Sequence, residues 1–216
     1  MYLRREPYIW TTWITGLLAG SNHCQWAAWI RSNYGVVKKR ESGVDLAVWK
    51  GLHGAMVQDR AAQLLSDGLT VYVEDQNKFN LRGHSATLGG VPDIVAVDEV
   101  TCRALVVDCK TGKPRDSDIF QVLIYMMMLP LAKPHLRGLT FEGELYYGLA
   151  NRVEVPASRL NDSTRQLIQR TITKMSEGPL PKVPSLQECK FCDIAKEDCP
   201  EKMGGEPEEV SATDLF

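Results

Sequence analysis

Residues 87–110, TLGGVPDIVAVDEVTCRALVVDCK, contain the signals that decide the fold. Two Val-rich runs, 87–97 and 103–109, predict β-strands, and the polar residues between them predict a turn. Three polar residues interrupt or end these apolar runs: Asp93, Asp108 and Lys110. Because an unpaired buried carboxylate is costly, each acid is expected to have a partner or a metal.

The two strands are expected to form a hairpin whose turn lies at about Asp98–Thr101. With an even-length loop, Asp93 lies opposite Val106, and Asp108 is its diagonal neighbour, with Cα atoms about 7–8 Å apart. Lys110, two residues further on, points to the same face. An odd-length loop would break this convergence, and a single Asp in such a position is more often only a turn residue.

Two carboxylates and a lysine on one face suit metal-assisted hydrolysis of a phosphodiester. The ion would neutralise phosphate charge and generate hydroxide, while the lysine would stabilise developing negative charge or orient the water. These residues stand in the order Pro92-Asp93, fourteen residues, then Asp108-Cys109-Lys110. Short patterns of this kind also occur by chance, so the spacing alone does not establish such a site.

The remaining segments predict helices around a sheet. Residues 8–34 predict two short helices broken near Gly20–Asn22, and residues 45–66 predict a longer helix with Asp45 as N-cap and Gly68 as stop. Further strands are predicted at 69–74, 143–150 and 152–155, and further helices at 116–129, stopped by Pro130, and 158–176. This order of elements predicts an α/β fold with a mixed sheet.

The composition is that of a globular protein. The 216 residues are 44% hydrophobic and 24% charged, which excludes a disordered chain, a coiled coil and a small disulfide-stapled scaffold. The net charge is −2, but residues 201–216 hold five acids and one base, so residues 1–200 carry +2. With no run of 18 apolar residues, we expect no membrane partner and a cytoplasmic location.

Three further residues extend the pattern of the central strands. His53 lies on a predicted helix, and Gln121 and Tyr125 share one face of another at i and i+4. If each residue is considered alone, the simpler interpretation is that His53 and Tyr125 are core residues and that Gln121 is exposed to solvent. In order, His53, Gly90–Asp93, Asp108–Lys110, Gln121 and Tyr125 resemble the motifs of RecB-type PD-(D/E)XK nucleases.

This resemblance implies a restriction-endonuclease-like core, with helices flanking a mixed central sheet, and a role for each motif residue. The implied ligands of a divalent ion are His53, Asp93, Asp108 and the backbone carbonyl of Cys109. Lys110 would be the catalytic lysine, and Gln121 and Tyr125 would position DNA or active-site groups. The ion would be Mn²⁺ or Mg²⁺, with the imidazole favouring Mn²⁺.

Three of the six cysteines cluster near the C-terminus, as Cys189-x2-Cys192-x6-Cys199. Three thiols in eleven residues predict metal ligands, and a fourth would close either a Cys₄ zinc site or an iron–sulfur cluster. Cys24 is favoured as the fourth ligand over Cys102 and Cys109, because isolated strand cysteines are usually small buried hydrophobes.

One cysteine before the nuclease motifs and three after them resemble nucleases that hold a [4Fe–4S] cluster. These are the AddB-type helicase-nucleases and the CRISPR-associated RecB-like exonucleases (the fourth Cas family). Without helicase motifs, the chain looks like a compact, free-standing or phage-type member. The resemblance implies a helical iron–sulfur cap, with a zinc Cys₄ site as the lesser alternative.

The expected function is that of a metal-dependent DNA exonuclease acting on single-stranded ends. It would serve CRISPR adaptation or phage or repair recombination, with an adaptation integrase or phage recombination proteins as partners. The alternative is a DNA-binding or adaptor module whose nuclease site is vestigial.

Four regions are expected along the chain. They are an N-terminal helical segment (1–44), a nuclease core (45–178), a cysteine-rich segment (179–200) and an acidic flexible tail (201–216). Lys113 and Arg115 follow the lysine motif and are expected to contact DNA phosphates, together with Tyr125. Trp26, Trp29 and Trp49 are expected in the core of the helical cap.

The tail offers one further candidate interaction. Asp214-Leu215-Phe216 resembles the end of bacterial sliding-clamp-binding peptides, although Ala212 stands where those peptides have glutamine. An untethered hydrophobic chain end is the favoured interpretation, and clamp binding is the alternative.

Overall fold

A five-stranded mixed sheet lies at the centre of the structure, a computed structural model that describes residues 1–39, 46–148 and 151–204. The strands, in chain order, are β4 (Thr70–Val73), β7 (Ile94–Asp98), β8 (Arg103–Cys109), β9 (Thr140–Tyr146) and β10 (Arg152–Val155). Their spatial order is β10-β9-β8-β7-β4. Only the β8–β9 pair is parallel among these strands, and helix α4 (Asp116–Ala132) forms the crossover that a parallel pair requires.

A second sheet joins the N-terminal segment to the middle of the chain. It consists of β2 (Tyr8–Trp10), β6 (Thr87–Gly90) and β5 (Phe79–Arg82), while β1 (Tyr2–Leu3) pairs separately with β3 (Tyr34–Gly35). The helical prediction for residues 8–10 is therefore wrong. Aromatic and β-branched residues favour a strand there, and Ile9 is fully buried.

The predicted single strand at 87–97 is divided between the two sheets. β6 belongs to the small sheet and β7 to the central one, and Pro92, which has no amide hydrogen to donate, lies between them. Gly90 ends β6 where no side chain fits, since a Cβ would lie 2.8 Å from Thr11 Oγ1 and from Tyr125 Cε1. The break brings Asp93 to the start of a central strand.

Two helices, α3 (Leu46–Ser66) and α4, pack on the central sheet. The other described helices are α1 (Thr11–Leu18), which packs on α4, α2 (Gln25–Asn33), α5 (Asp162–Lys174) and α6 (Leu186–Phe191). The predicted break between α1 and α2 is present, and Gly68, with φ of 83°, follows α3 as expected. The helix predicted at 158–176 begins only at Asp162, because Asn161 Oδ1 caps it by accepting the Thr164 N–H.

The prediction that Pro130 ends α4 is wrong, because the helix continues to Ala132. Residues 121–129 are all buried, and the Lys133 N–H donates to Leu129 O at 2.8 Å. Packing of the whole helix circumference outweighs the hydrogen bond that proline cannot make.

The β7–β8 hairpin has an even-length loop, with a register different from the expected one. Val95, not Asp93, lies opposite Val106, and Asp98 pairs with Arg103. The Asp98 carboxylate accepts hydrogen bonds from the N–H groups of Val100 and Thr101. Asp98 is therefore the last paired residue of β7, and the turn begins after it. Because the loop length stays even, Asp93 and Asp108 keep the same alternation of faces.

The alternation along β7 and β8 separates two apolar cores. Val95 and Val106 belong to the larger core, which includes α4, and Ile94 and Val107 belong to a smaller core that includes α3. Asp108 lies two residues after Val106 on the same strand, so its side chain is on the same face of the sheet and faces α4. The mixed α/β fold with helices around a multi-stranded sheet is confirmed.

Some expectations fall outside the described residues. These are the Asp45 N-cap, the clamp-like end at 212–216 and most of the predicted tail. Among the described helices, none combines the length and the apolar character needed to cross a membrane.

Candidate active site

Side chains from three elements meet where β7 begins and β8 ends. Asp93 directly precedes β7, β8 supplies Asp108 two residues before Lys110, and the buried face of α4 supplies Gln121 and Tyr125. Lys110 Nζ lies 2.7 Å from Asp108 Oδ2 and donates to Gln121 Oε1 at 2.9 Å. The structure therefore brings together residues that lie seventeen positions apart along the chain.

Gln121 forms hydrogen bonds with both the carboxylate of Asp108 and the hydroxyl of Tyr125. Its Nε2 donates to Asp108 Oδ1 at 2.8 Å and to the hydroxyl of Tyr125 at 3.0 Å, while that hydroxyl donates to Val91 O at 3.3 Å. The amide orientation is fixed by these partners, because its oxygen faces the ammonium group and its nitrogen faces the carboxylate.

Asp93 and His53 lie on the other side of Asp108. Asp93 Oδ2 accepts the Cys109 N–H at 2.7 Å and lies 3.4 Å from His53 Nε2. Cys109 itself is buried in the α3-side core, where burial raises the pKa of its thiol. Its side chain is therefore a neutral core group, and its backbone N–H orients Asp93.

The electrostatics of this cluster depend on the burial of Asp108, which is 1% exposed. The pKa of Asp108 is raised to about 7, chiefly by burial, with Lys110 opposing the shift and Asp93 adding to it. For Lys110, burial lowers the pKa, but the attraction of Asp108 outweighs it, and the pKa lies above its usual value. Lys110 is therefore a charged donor at neutral pH.

His53 and Tyr125 respond to the same two carboxylates. The hydrogen bond to Asp93 raises the pKa of His53 against the opposing effect of burial. Burial, and next the charge of Asp108, raise the pKa of Tyr125, which stays a neutral phenol. Tyr125 thus acts as a hydrogen-bonding group and not as an acid.

One oxygen of this cluster has Lys110 as its single partner. Asp108 Oδ2 is buried and, apart from its ion pair with Lys110, accepts no hydrogen bond from the described residues. A buried carboxylate oxygen with spare lone pairs is the donor that Mg²⁺ and Mn²⁺ prefer.

Asp108 and Asp93 offer the carboxylate oxygens that a hard divalent ion prefers, and their role as its ligands stays a prediction. Among residues 1–39, 46–148 and 151–204, no group of three or more His, Cys, Asp or Glu is arranged to hold a metal ion. His53 is near the site through Asp93, and no described contact tests the expected role of the Cys109 carbonyl.

Trp49 is a neighbour of this site that the sequence-based prediction placed in the core, which is wrong. Its side chain is 42% exposed, its ring centroid lies 5.2 Å from that of His53, and its Nε1 donates to Thr111 Oγ1 at 3.0 Å. The i, i+4 spacing to His53 was the available sequence signal. By contrast, Trp29 is buried and Trp26 packs against the core, as expected.

The loop after Lys110 is accessible. Lys113 and Arg115 are exposed, and the Arg115 N–H donates to Asp118 Oδ2 at the start of α4. Asp118 also accepts the hydroxyl of Tyr147 at 3.0 Å. The positions of these two cations suit phosphate contact near the site and leave that role a prediction.

The cysteine-rich segment lies against the N-terminal helices. Both Glu188 oxygens are used there, since they accept the N–H groups of His23 at 2.9 Å and Cys24 at 3.1 Å. Cys189 and Cys199 are buried, and Cys24 and Cys192 are half-buried. Burial, and to a lesser extent the nearby Cys192 and Cys24, raise the pKa of the Cys199 thiol.

A sequence model of the PD-(D/E)XK nuclease superfamily matches residues 25–199. The chain belongs to this superfamily, whose members are typically metal-dependent nucleases that use Mg²⁺ or Mn²⁺ and bind DNA. The crystal structure of SSO0001 is similar, with a TM-score of 0.48 and 18% identity over 94% of this chain and 91% of that chain. No curated protein matches the sequence.

Proposed function

We propose that this chain is a metal-dependent deoxyribonuclease that hydrolyses phosphodiester bonds at single-stranded DNA ends. The observation that supports the proposal most directly is the buried chain of contacts from Lys110 through Asp108 and Gln121 to Tyr125. A buried charged set of this kind is costly to fold unless it serves a ligand or a reaction.

Each side chain has a defined chemical task. Asp108 and Asp93 would hold the ion, which would supply Lewis-acid stabilisation of the phosphate and a hydroxide at neutral pH. Lys110, held by Gln121, would place its positive charge beside the phosphate oxygens where negative charge develops. Tyr125 would keep the Gln121 amide in the orientation that this requires.

Three exposed side chains support a single-stranded substrate. The Trp49 indole donates to Thr111, its ring is tilted beside that of His53, and the residue is 42% exposed, so an unpaired base would reach it next to the site. Base stacking of this kind contributes about 1–3 kcal/mol per base and needs an accessible base. Lys113 and Arg115 would neutralise neighbouring phosphates.

The proposal includes a cluster on Cys24, Cys189, Cys192 and Cys199, as in the iron–sulfur nucleases that the sequence resembles. Glu188, next to Cys189, accepts the Cys24 N–H and so brings the two ends of the set near each other. Among the described residues, however, no three of these thiols are arranged to hold a metal ion, so the resemblance carries this part of the proposal. Anaerobically purified protein should be brown and contain about four irons per chain. Colourless protein with one zinc per chain would replace the cluster by a Cys₄ zinc site.

The biological setting follows from the resemblance alone. CRISPR adaptation and phage or repair recombination use the same chemistry, with an adaptation integrase or recombination proteins as partners. Genes adjacent to this one would distinguish them, since integrase-type genes favour the first and replication genes the second.

The nuclease proposal is tested by digestion of end-labelled single-stranded DNA with Mn²⁺. Asp108→Ala should lose the activity, because it removes the buried carboxylate oxygen whose single partner is Lys110. Asp67→Ala, which removes an exposed acid after α3, is the matched control and should cut like wild type. An Asp108→Ala protein that digests DNA at the wild-type rate would contradict the catalytic role of Asp108. A wild-type protein that binds the DNA without digesting it would favour a DNA-binding module with a vestigial site.

A further inference from the structure

A cavity of about 220 Å³ lies between the N-terminal segment and the cysteine-rich segment. Its lining shares no residue with the active site described above. It combines positively charged and aromatic side chains from four parts of the chain: Arg4, Trp13, Arg31, Tyr34, Lys38 and Lys39. Among the described residues that line it, Asp193 is the one acid, so positive charge is in excess in this part of the lining.

The excess charge is not used within the described structure. Arg31 pairs with Asp193, which neutralises one cation. Arg4 Nε is buried and has no hydrogen-bond partner among the described residues, and the Arg4 guanidinium lies 5.9 Å from the Tyr8 ring. Lys38 uses its backbone, donating its N–H to Asp198 Oδ2 and accepting from Ala195, which leaves its ammonium available to a ligand.

A buried donor without an acceptor destabilises a fold, so its retention indicates a ligand. The ligand must be anionic, because three cations remain after Arg31 is paired. It must also have a flat apolar part, because Trp13 and Tyr34 form the rest of the lining. At the rim, Val36 is 74% exposed with φ of 56°, a strained conformation for a β-branched residue and one that clusters at ligand sites.

We infer that this cavity binds one nucleotide unit, with its phosphate on Arg4, Lys38 and Lys39 and its base against Trp13 and Tyr34. A phosphate with an attached base satisfies both halves of the lining, which neither a bare anion nor an apolar molecule does. The proposed function is needed only for the claim that this nucleotide belongs to a substrate strand. The claim that the cavity binds a nucleotide rests on its lining alone. The site would hold the strand away from the reacting phosphate.

The experiment measures binding of a labelled thymidine oligonucleotide of about 15 nucleotides, in buffer without divalent metal, across a range of salt concentrations. Lys38→Ala/Lys39→Ala should weaken binding about tenfold, since it removes two charged contacts. The slope of log affinity against log salt should fall by about 0.7 for each lost phosphate contact. The control, Lys78→Ala/Arg137→Ala, removes the same charge from exposed sites outside the cavity and should change neither quantity.

Competition identifies what the cavity recognises. Thymidine 5′-monophosphate should displace the oligonucleotide at lower concentration than inorganic phosphate or thymidine, and Arg4→Met should remove this advantage. Equal losses in the cavity and control double variants would overturn the inference, as would equal competition by inorganic phosphate and the nucleotide.

Hydrolysis of bis(p-nitrophenyl) phosphate with Mn²⁺ reports on the active site alone. It should be the same in wild type and in Lys38→Ala/Lys39→Ala. A wild-type protein that fails to hydrolyse this ester would contradict the proposed function and leave the binding result for the cavity intact.

Discussion

The active site and the junction between the two ends of the chain use their polar side chains differently. In the active site, the buried side chains bond mainly to one another, as Gln121 does to Asp108. In the junction, several buried side chains bond to backbone: Trp29 Nε1 donates to Glu177 O, and Lys202 Nζ donates to the carbonyls of Cys192 and Ile194. The first arrangement leaves a carboxylate oxygen for a ligand, whereas the second fixes chain segments in place.

This difference separates what substitutions should do. Changes in the active site should alter the reaction more than the fold, because the side chains there hold one another and an ion. Changes in the junction should alter the stability of the terminal segments and leave the chemistry intact.

The largest effect is expected from Lys110→Met. Removal of the charge that stabilises the developing phosphate charge should lower kcat by about 10³-fold, or about 4 kcal/mol in transition-state stabilisation. Single-turnover digestion with saturating Mn²⁺ measures it. Lys78→Met, at an exposed lysine outside the site, should retain the wild-type kcat; an equal loss there would mean that general charge, not position, matters.

The next effect concerns the stability of the metal-free protein. The raised pKa of Asp108, about 7 against an ordinary 3.8, means that the folded state keeps a proton that the unfolded state loses. The free energy of unfolding should therefore fall as pH rises between these values and level off above about 7. Asp108→Asn lacks this dependence, so its free energy of unfolding relative to that of wild type should rise as the pH increases toward about 7.

Urea unfolding of both proteins in the presence of EDTA, from about pH 5 to about pH 8, tests this sign. The difference in the free energy of unfolding between the variant and wild type should increase with pH. A constant gap would mean that Asp108 is ionised throughout this range.

A smaller effect is expected at the rim of the active site. Trp49→Ala removes an exposed indole that is held beside His53, so it should raise the KM for single-stranded DNA about tenfold with a smaller change in kcat. Trp49→Phe should recover part of the loss, because a ring remains for stacking. Equal loss on duplex and single-stranded substrates would argue against base stacking.

The smallest effect belongs to the junction. Glu188→Gln weakens two charge-assisted contacts to the N–H groups of His23 and Cys24, at a cost of about 1 kcal/mol. Hydrogen exchange of residues near Cys24 should increase while hydrolysis of a small phosphodiester is unchanged. A parallel loss of hydrolysis would show that the junction is coupled to the reaction.

Sequence reasoning was most successful where the signal is local. Polar residues that interrupt Val-rich strands located Asp93 and Asp108, and the i, i+4 pair located Gln121 and Tyr125 on one helix face. Each depends only on the period of its own element. The register of the hairpin was mispredicted, because the side-chain hydrogen bonds of Asp98 decide where the turn closes.

Features that depend on distant segments could not be predicted in the same way. The pairing of Tyr8–Trp10 with Thr87–Gly90 joins strands about eighty residues apart, and nothing in either segment identifies the other. The exposure of Trp49 depends on which elements cover α3. The cavity at Arg4 requires four segments to meet, and its charge excess becomes visible only after the pairing of Arg31 is known.

That Asp93 and Asp108 together hold one divalent ion is tested most directly by counting bound Mn²⁺ by electron paramagnetic resonance, before any substrate is added. Wild type should bind about one Mn²⁺ per chain at the active site, and Asp93→Asn/Asp108→Asn should bind none there. The same variant should lose DNA hydrolysis while keeping the wild-type circular dichroism spectrum. Undiminished Mn²⁺ binding by the double variant would contradict the assignment of the metal site.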